Sequence, residues 1–141
     1  MVANDALQAS IRIAGAGLDA QSARLRVISE NIANAQSTAT IAGGDPYVRK
    51  TVMFETEMDR AAGLPLVRVK NIGLDDTTFP VEQDPGNPAA DDNGFVKIPN
   101  VDVLVELADM REANRSYEAN LQVAKQSSDL MSMTVNLLKD V

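Results

Sequence analysis

The chain has 141 residues, 45% hydrophobic and 23% charged, with a net charge of −7. The first segment is charge-balanced and the acid excess lies in the middle and last segments, which argues against nucleic acid or an anionic membrane surface as the main partner. The absence of His and Cys excludes the usual neutral-pH acid/base group, thiol nucleophiles, thiolate metal sites and disulfides, while 4% aromatics and no Trp leave Ala, Val, Leu, Ile and Met to do the packing, as in helix bundles.

The chain starts "MVANDALQASIRIAGAG". Asp5 and Arg12 interrupt its apolar residues, and no basic stretch leads into an unbroken apolar core, so it does not read as a secretory signal peptide. A protein with this start that works outside the cytoplasm is expected to leave by another route. No run of eighteen apolar residues occurs anywhere, and no membrane span is expected.

A long helix is predicted next. Leu7, Ile11, Ala14, Leu18, Gln21, Leu25, Ile28, Ile32 and Ala35 follow alternating steps of four and three, the spacing of a coiled-coil seam. At about 1.5 Å per residue this helix would be roughly 45 Å long. Gly15 and Gly17 interrupt it, each costing about 1 kcal/mol relative to Ala and each opening room for a bend or a close neighbour. Asn31 and Asn34 stand at its foot in "SENIANAQST" (29–38), where nothing looks catalytic.

The middle, 37–100, changes character. It holds all six prolines and six of the eight glycines. "YVRKTVMF" (47–54) alternates as a half-buried strand, "LVRVKNI" (66–72) is a second candidate and "FVKI" (95–98) a short third. "QDPGNPAADDNG" (83–94) is loop. Its Asp84, Asp91 and Asp92 do not follow the twelve-residue calcium pattern closed by Glu, so a solvated turn-forming role is the better reading. Glu55, Glu57 and Asp59 have no companion base or nucleophile and read as a solvated face. "AGGDP" (42–46) lacks the length and Lys of a phosphate loop.

The last segment returns to the helical repeat: Val103, Leu107, Met110, Asn114, Tyr117, Leu121, Ala124, Ser128, Met131, Val135 and Leu138. Pro99 and Asn100 mark its start, and Asp102 is placed to favour the helix dipole. The methionines at helical spacing are packing residues. The expected fold is mainly α: long N- and C-terminal helices (1–36 and 101–141) packed as an antiparallel coiled coil and forming one discontinuous domain, with a small β-containing insert (37–100) between them. Each helix has one narrow apolar stripe, and Ile13, Val27, Leu104, Leu130 and Leu137 fall off it. That pattern implies an assembly subunit whose outer faces are covered by neighbours. Asn at a seam position fixes register at a cost in stability, which Asn114, Asn31 and Asn34 are placed to do.

"GLDAQSARLRVISENIANAQST" (17–38) resembles the N-terminal signature of flagellar axial proteins, the family of rod, hook and hook-associated subunits, through Gly17, Leu18, Gln21, Asn31-Ile32-Ala33-Asn34 and Thr38. "SYEANLQVAKQSSDLMSMTVNLL" (116–138) resembles the matching C-terminal signature around Tyr117-Glu118-Ala119-Asn120. "GGDPYVRKTVMFE" (43–55), "DPGNPAADDNGFVKIPNVDVLVEL" (84–107) and the short length are similar to the proximal-rod members of the flagella basal body rod proteins.

The resemblance implies a structural, non-enzymatic subunit with no cofactor or metal. It would be exported unfolded by the flagellar type III apparatus without a cleaved signal, and would polymerise into a helical tube in the periplasmic part of the basal body. That tube would surround the export channel and transmit torque to the hook. Its partners would be copies of itself, other rod proteins, and the membrane ring and export-gate base. The residues expected at the assembly interface are Leu18, Gln21, Leu25, Ile28, Asn31, Ile32, Asn34, Met110, Asn114, Tyr117, Glu118, Asn120, Leu121, Met131 and Leu138. The competing class is a soluble coiled-coil adaptor or export chaperone that binds partner helices. A peptidoglycan hydrolase is disfavoured, since the insert has no convincing acid/base pair.

Overall fold

The structure is a computed structural model describing the backbone of residues 2–139 and the side chains of residues 5–137. In chain order it has α1 (Val2–Ala33), β1 (Lys50–Asp59), β2 (Leu64–Leu74), β3 (Val81–Gln83), β4 (Phe95–Lys97) and α2 (Val103–Lys139). Two long terminal helices thus enclose a small β insert, as the repeats imply.

The ends of the helices follow from local chemistry. At the foot of α1, Asn34 donates from both its backbone N (3.1 Å) and its Nδ2 (2.9 Å) to the carbonyl of Glu30. Ser37 Oγ then donates to Asn34 Oδ1, which turns the chain out of the helix. At the head of α2, Asp102 Oδ1 accepts from the backbone N of Leu104 (2.9 Å) and Val105 (3.4 Å), an N-cap that satisfies two otherwise orphaned donors.

The insert consists of two hairpins. β1 pairs with β2 across a short turn. Asp59 Oδ1 accepts from Ala61 N there, and Gly63, at φ +64°, donates to Asp59 O. The 64° value is left-handed backbone, which glycine adopts at no steric cost. β3 pairs antiparallel with β4 in the register Val81↔Lys97, Glu82↔Val96, Gln83↔Phe95. The stretch 83–94 is the loop between them, and β3 is a strand that its three exposed residues did not announce. Asp91 Oδ1 accepts from Asn93 N and Phe95 N, and Asn87 Oδ1 accepts from Ala89 N. The acidic loop therefore spends side-chain acceptors on its own backbone, as turn-forming Asp and Asn do.

The chain divides into two compact units, each taking part of both helices and part of the β1–β2 hairpin. One comprises the chain up to Arg24, Met53–Asn71 and the chain from Glu112 on; the other comprises Leu25–Val52 and Ile72–Arg111.

In the first unit α1 and α2 run antiparallel. Gly17 lies against the side chain of Asn120, and Arg24 Nη2 reaches Glu112 Oε2 at 3.6 Å. The buried residues here are Ala14, Gly17 and Ala20 from α1 with Ala113 and Ser127 from α2. This contact differs from the expected one. Of the first-unit seam residues, Ala14 is buried, Leu18 is half-buried, and Leu121 and Val135 stay exposed. Both helices carry large apolar residues on more than one side, so spacing alone does not choose the face. Small side chains win the contact because they let two backbones approach closely.

The second unit has its core at Val27, Ile28, Ala89 and Val96, together with two buried polar groups, Asn31 and Glu106. Val27, expected off the stripe, is among its most buried residues.

Candidate functional site

The most organised polar site is in the second unit, where four stretches of chain meet: the end of α1, the start of β1, the end of β2 and the start of α2. Asn31 is 1% exposed. Its Nδ2 donates to the carbonyl of Lys50 (2.9 Å) and to Glu106 Oε2 (3.1 Å). Its Oδ1 accepts from Tyr47 Oη and from the backbone N of Lys50, both at 2.9 Å. All four positions of the amide are in use. Asn31, expected at a subunit boundary, spends its hydrogen bonds inside its own chain, and so does Asn34.

Glu106 is 0% exposed. Besides Asn31 it faces Arg49, whose Nε donates to Oε1 at 2.6 Å. The same guanidinium reaches Asp75 Oδ2 (3.1 Å) and Asp109 Oδ2 (3.9 Å). Asn100 completes the frame by accepting from Arg49 N (2.8 Å) and donating to Thr77 Oγ1 (3.0 Å) and O (3.2 Å). Outside it, Lys50 Nζ meets Glu30 Oε2 at 2.7 Å.

The titrations follow this geometry. The backbone N and hydroxyl of Thr77, then Arg49, hold the Asp75 carboxyl below the usual carboxylate range. Burial pulls Arg49 down, but its hydrogen bonds and charge pairing with Glu106 and Asp75 outweigh that and raise it. Burial raises the Tyr47 phenol. Their mutual hydrogen bond lowers Glu30 and raises Lys50. Every charge here has a partner. A buried ion pair closed in this way is weak evidence for stability but suits a device that enforces one arrangement. Among the described residues, no group of three or more acids that could hold a metal ion is present.

The second feature is what the helices leave outside. The opening turns of α2 are inverted: Glu106 is buried, while Val103, Leu104 (77% exposed), Val105 and Leu107 face out. In the first unit Leu121 (50% exposed), Val123, Leu130, Met133, Val135 and Leu137 are likewise uncovered. Uncovered apolar side chains in clusters are the usual character of interaction surfaces.

The residues expected at an interface divide as follows. Asn114, Glu118 and Leu121 are exposed; Leu18, Gln21, Leu25, Ile32, Asn34, Met110, Tyr117, Asn120 and Met131 are half-buried; Ile28 and Asn31 are buried. The side chain of Leu138 lies outside the described residues. Gln21 Oε1 is buried and has no hydrogen-bond donor among the described residues. The sequence reading missed Tyr47, Arg49, Asp75, Asn100 and Glu106. One signal was available for the last: a lone acid inside the run Val-Leu-Val-Glu-Leu.

Comparison with known proteins gives a consistent result. Residues 11–39 match the family described as "Flagella basal body rod protein", and residues 92–137 match "Flagellar basal body rod FlgEFG protein C-terminal". Three relatives carry the name "Flagellar basal-body rod protein FlgC". That of Agrobacterium fabrum is 60% identical over 135 residues, covering 96% of this chain and 97% of the relative. That of Salmonella typhimurium is 42% identical over 127 residues (89% and 92%), and that of Borreliella burgdorferi 34% over 151 (94% and 98%).

Proposed function

The chain belongs to the flagellar basal-body rod protein family, a family of structural rod subunits, and from that premise we propose that it builds the proximal rod by polymerising through the outer faces of its terminal helices. The tube so formed surrounds the export channel and carries motor torque to the hook. Copies of this chain and other rod proteins cover the helices, and the membrane ring and export-gate base sit below. The subunit reaches the periplasm through the flagellar type III apparatus without a cleaved signal.

The observation that supports this most is the division of labour on α2. The intramolecular contact uses Ala113 and Ser127, while the large apolar side chains stay outside. A helix pair that served only its own chain would turn Leu121 and Val135, which share one side of α2, into the contact first, because each fully buried side chain of that size contributes about 1.5–3 kcal/mol. Torque transmission calls for many such contacts, since a single hydrogen bond nets only about 1 kcal/mol.

Leu121→Asp tests the reading. It places a carboxylate on the uncovered face, where desolvation on assembly costs several kcal/mol, so basal bodies from the variant strain should lack rods and cells should not swim. Normal motility would overturn the proposal.

A further inference from the structure

We propose that Asn120, seated over the bare backbone of Gly17, is a register latch for the antiparallel helix pair, and that the latch holds the outward apolar rows of α2 at one level along α1. The proposal rests on the assembly reading above for its consequence, but not for its geometry.

A contact made of alanines and serines discriminates poorly between registers. Ala113, Asn120 and Ser127 recur at every seventh position of α2. A slip of one heptad would present Ala113 or Ser127 to Gly17, and either fits. Asn120 would then move to the level of Ser10 or Arg24, both of which carry side chains. Only at Gly17 is there space: a Cβ built there would lie 2.6 Å from Asn120 Nδ2, 2.9 Å from Cγ and 3.0 Å from Oδ1. Real Cβ atoms essentially never come so close, so a side chain at residue 17 would push the carboxamide aside, and Asn120 holds this seat because residue 17 is glycine. Gly15, two residues earlier, meets nothing within 4 Å and carries no such constraint. In coiled coils a single polar residue at the contact fixes register at a cost in stability, and here the bare backbone opposite adds a shape requirement. Arg24 and Glu112 are the companion pair that this register brings together. A pair slipped by one heptad would keep the same side of α2 inward but displace its outward apolar rows by about 10 Å along α1, and the surface needed by the next subunit would be out of step.

The test uses the absence of cysteine in the chain. Arg24→Cys/Glu112→Cys reports the native register and Arg24→Cys/Ala119→Cys a one-heptad slip, each trapped with a short bismaleimide in the purified full-length chain. Both are placed in wild type and in Gly17→Ala/Asn120→Ala. That double variant removes all three clashing atoms, so packing is preserved while the polar, shaped contact is lost. The expected result is cross-linking only at the native pair in wild type. In the double variant the slipped pair should rise at least fivefold, and rods per cell should fall at least tenfold. Native-only cross-linking in the double variant overturns the latch whether or not rods form. A slipped register with normal rods overturns its link to assembly. If Leu121→Asp swims while the cross-links behave as expected, the assembly reading fails and the latch stands.

Discussion

Asn31→Asp changes one atom type and almost no volume. It leaves Oδ1 in place, so the bonds from Tyr47 and Lys50 N survive, and replaces the Nδ2 donor with oxygen. Two attractive contacts then become oxygen–oxygen oppositions: 2.9 Å to the Lys50 carbonyl and 3.1 Å to Glu106 Oε2. Each lost buried hydrogen bond costs about 1–3 kcal/mol. Two like charges at that separation repel by about 5 kcal/mol at an effective dielectric constant of about 20, part of which Arg49 offsets. The net cost is about 4–6 kcal/mol, against a total stability of about 5–15 kcal/mol for a domain. Urea unfolding at pH 7, followed by far-ultraviolet circular dichroism, measures it. Adding Glu106→Gln supplies a donor facing the new carboxylate, and the double variant should recover about half of the loss. The reasoning is refuted if Asn31→Asp lies within about 1 kcal/mol of wild type, or if Glu106→Gln restores nothing.

Arg49→Ala leaves Glu106 buried without its cation and should destabilise by about 3–5 kcal/mol in the same titration. Acid should erode the second unit in a defined window. The depressed carboxyl of Asp75 contributes stability that is fully present above the ordinary Asp pKa of about 3.9 and is lost as pH falls through its lower folded-state value; Asp75→Asn should flatten that limb of a stability–pH curve. Asp102→Ala removes the α2 cap and should cost about 1 kcal/mol, read as a shift in urea midpoint. Ile28→Asp and Leu121→Asp should part company: the first, at a buried position, should unfold its unit, whereas the second, at an exposed position, should change the unfolding free energy by less than about 0.5 kcal/mol while abolishing rods.

The sequence showed the helices plainly, because a three/four repeat sustained through both ends leaves little choice of secondary structure. It did not show which face of each helix packs. Leu18, Asn114 and Leu121 follow the repeat, whereas the buried Gly17 and Ala113 fall one position before Leu18 and Asn114, and that choice depends on how close two backbones come, a three-dimensional property. β1 and β2 were visible in their alternation, whereas β3 has three exposed residues and no pattern of its own. Asn31 was singled out for bonds to neighbouring subunits, and within the chain its amide is taken up by Tyr47, Lys50 and Glu106. Lys50, Tyr47 and Glu106 lie 19, 16 and 75 residues away in the chain, and only the fold brings them together.

That span of 75 residues between Asn31 and Glu106 has a consequence for timing. Whatever threads this polypeptide from its N-terminus delivers the asparagine early and the glutamate late. Until α2 has emerged, Asn31 has no carboxylate to meet and Arg49 no buried anion, so the junction cannot close on a half-delivered chain. Contacts this distant in sequence also carry a large loop-closure cost and form slowly. The knot of charges that ties the second unit together thus waits for Glu106, and the first unit's Gly17–Asn120 contact, more distant still in the chain, waits longer.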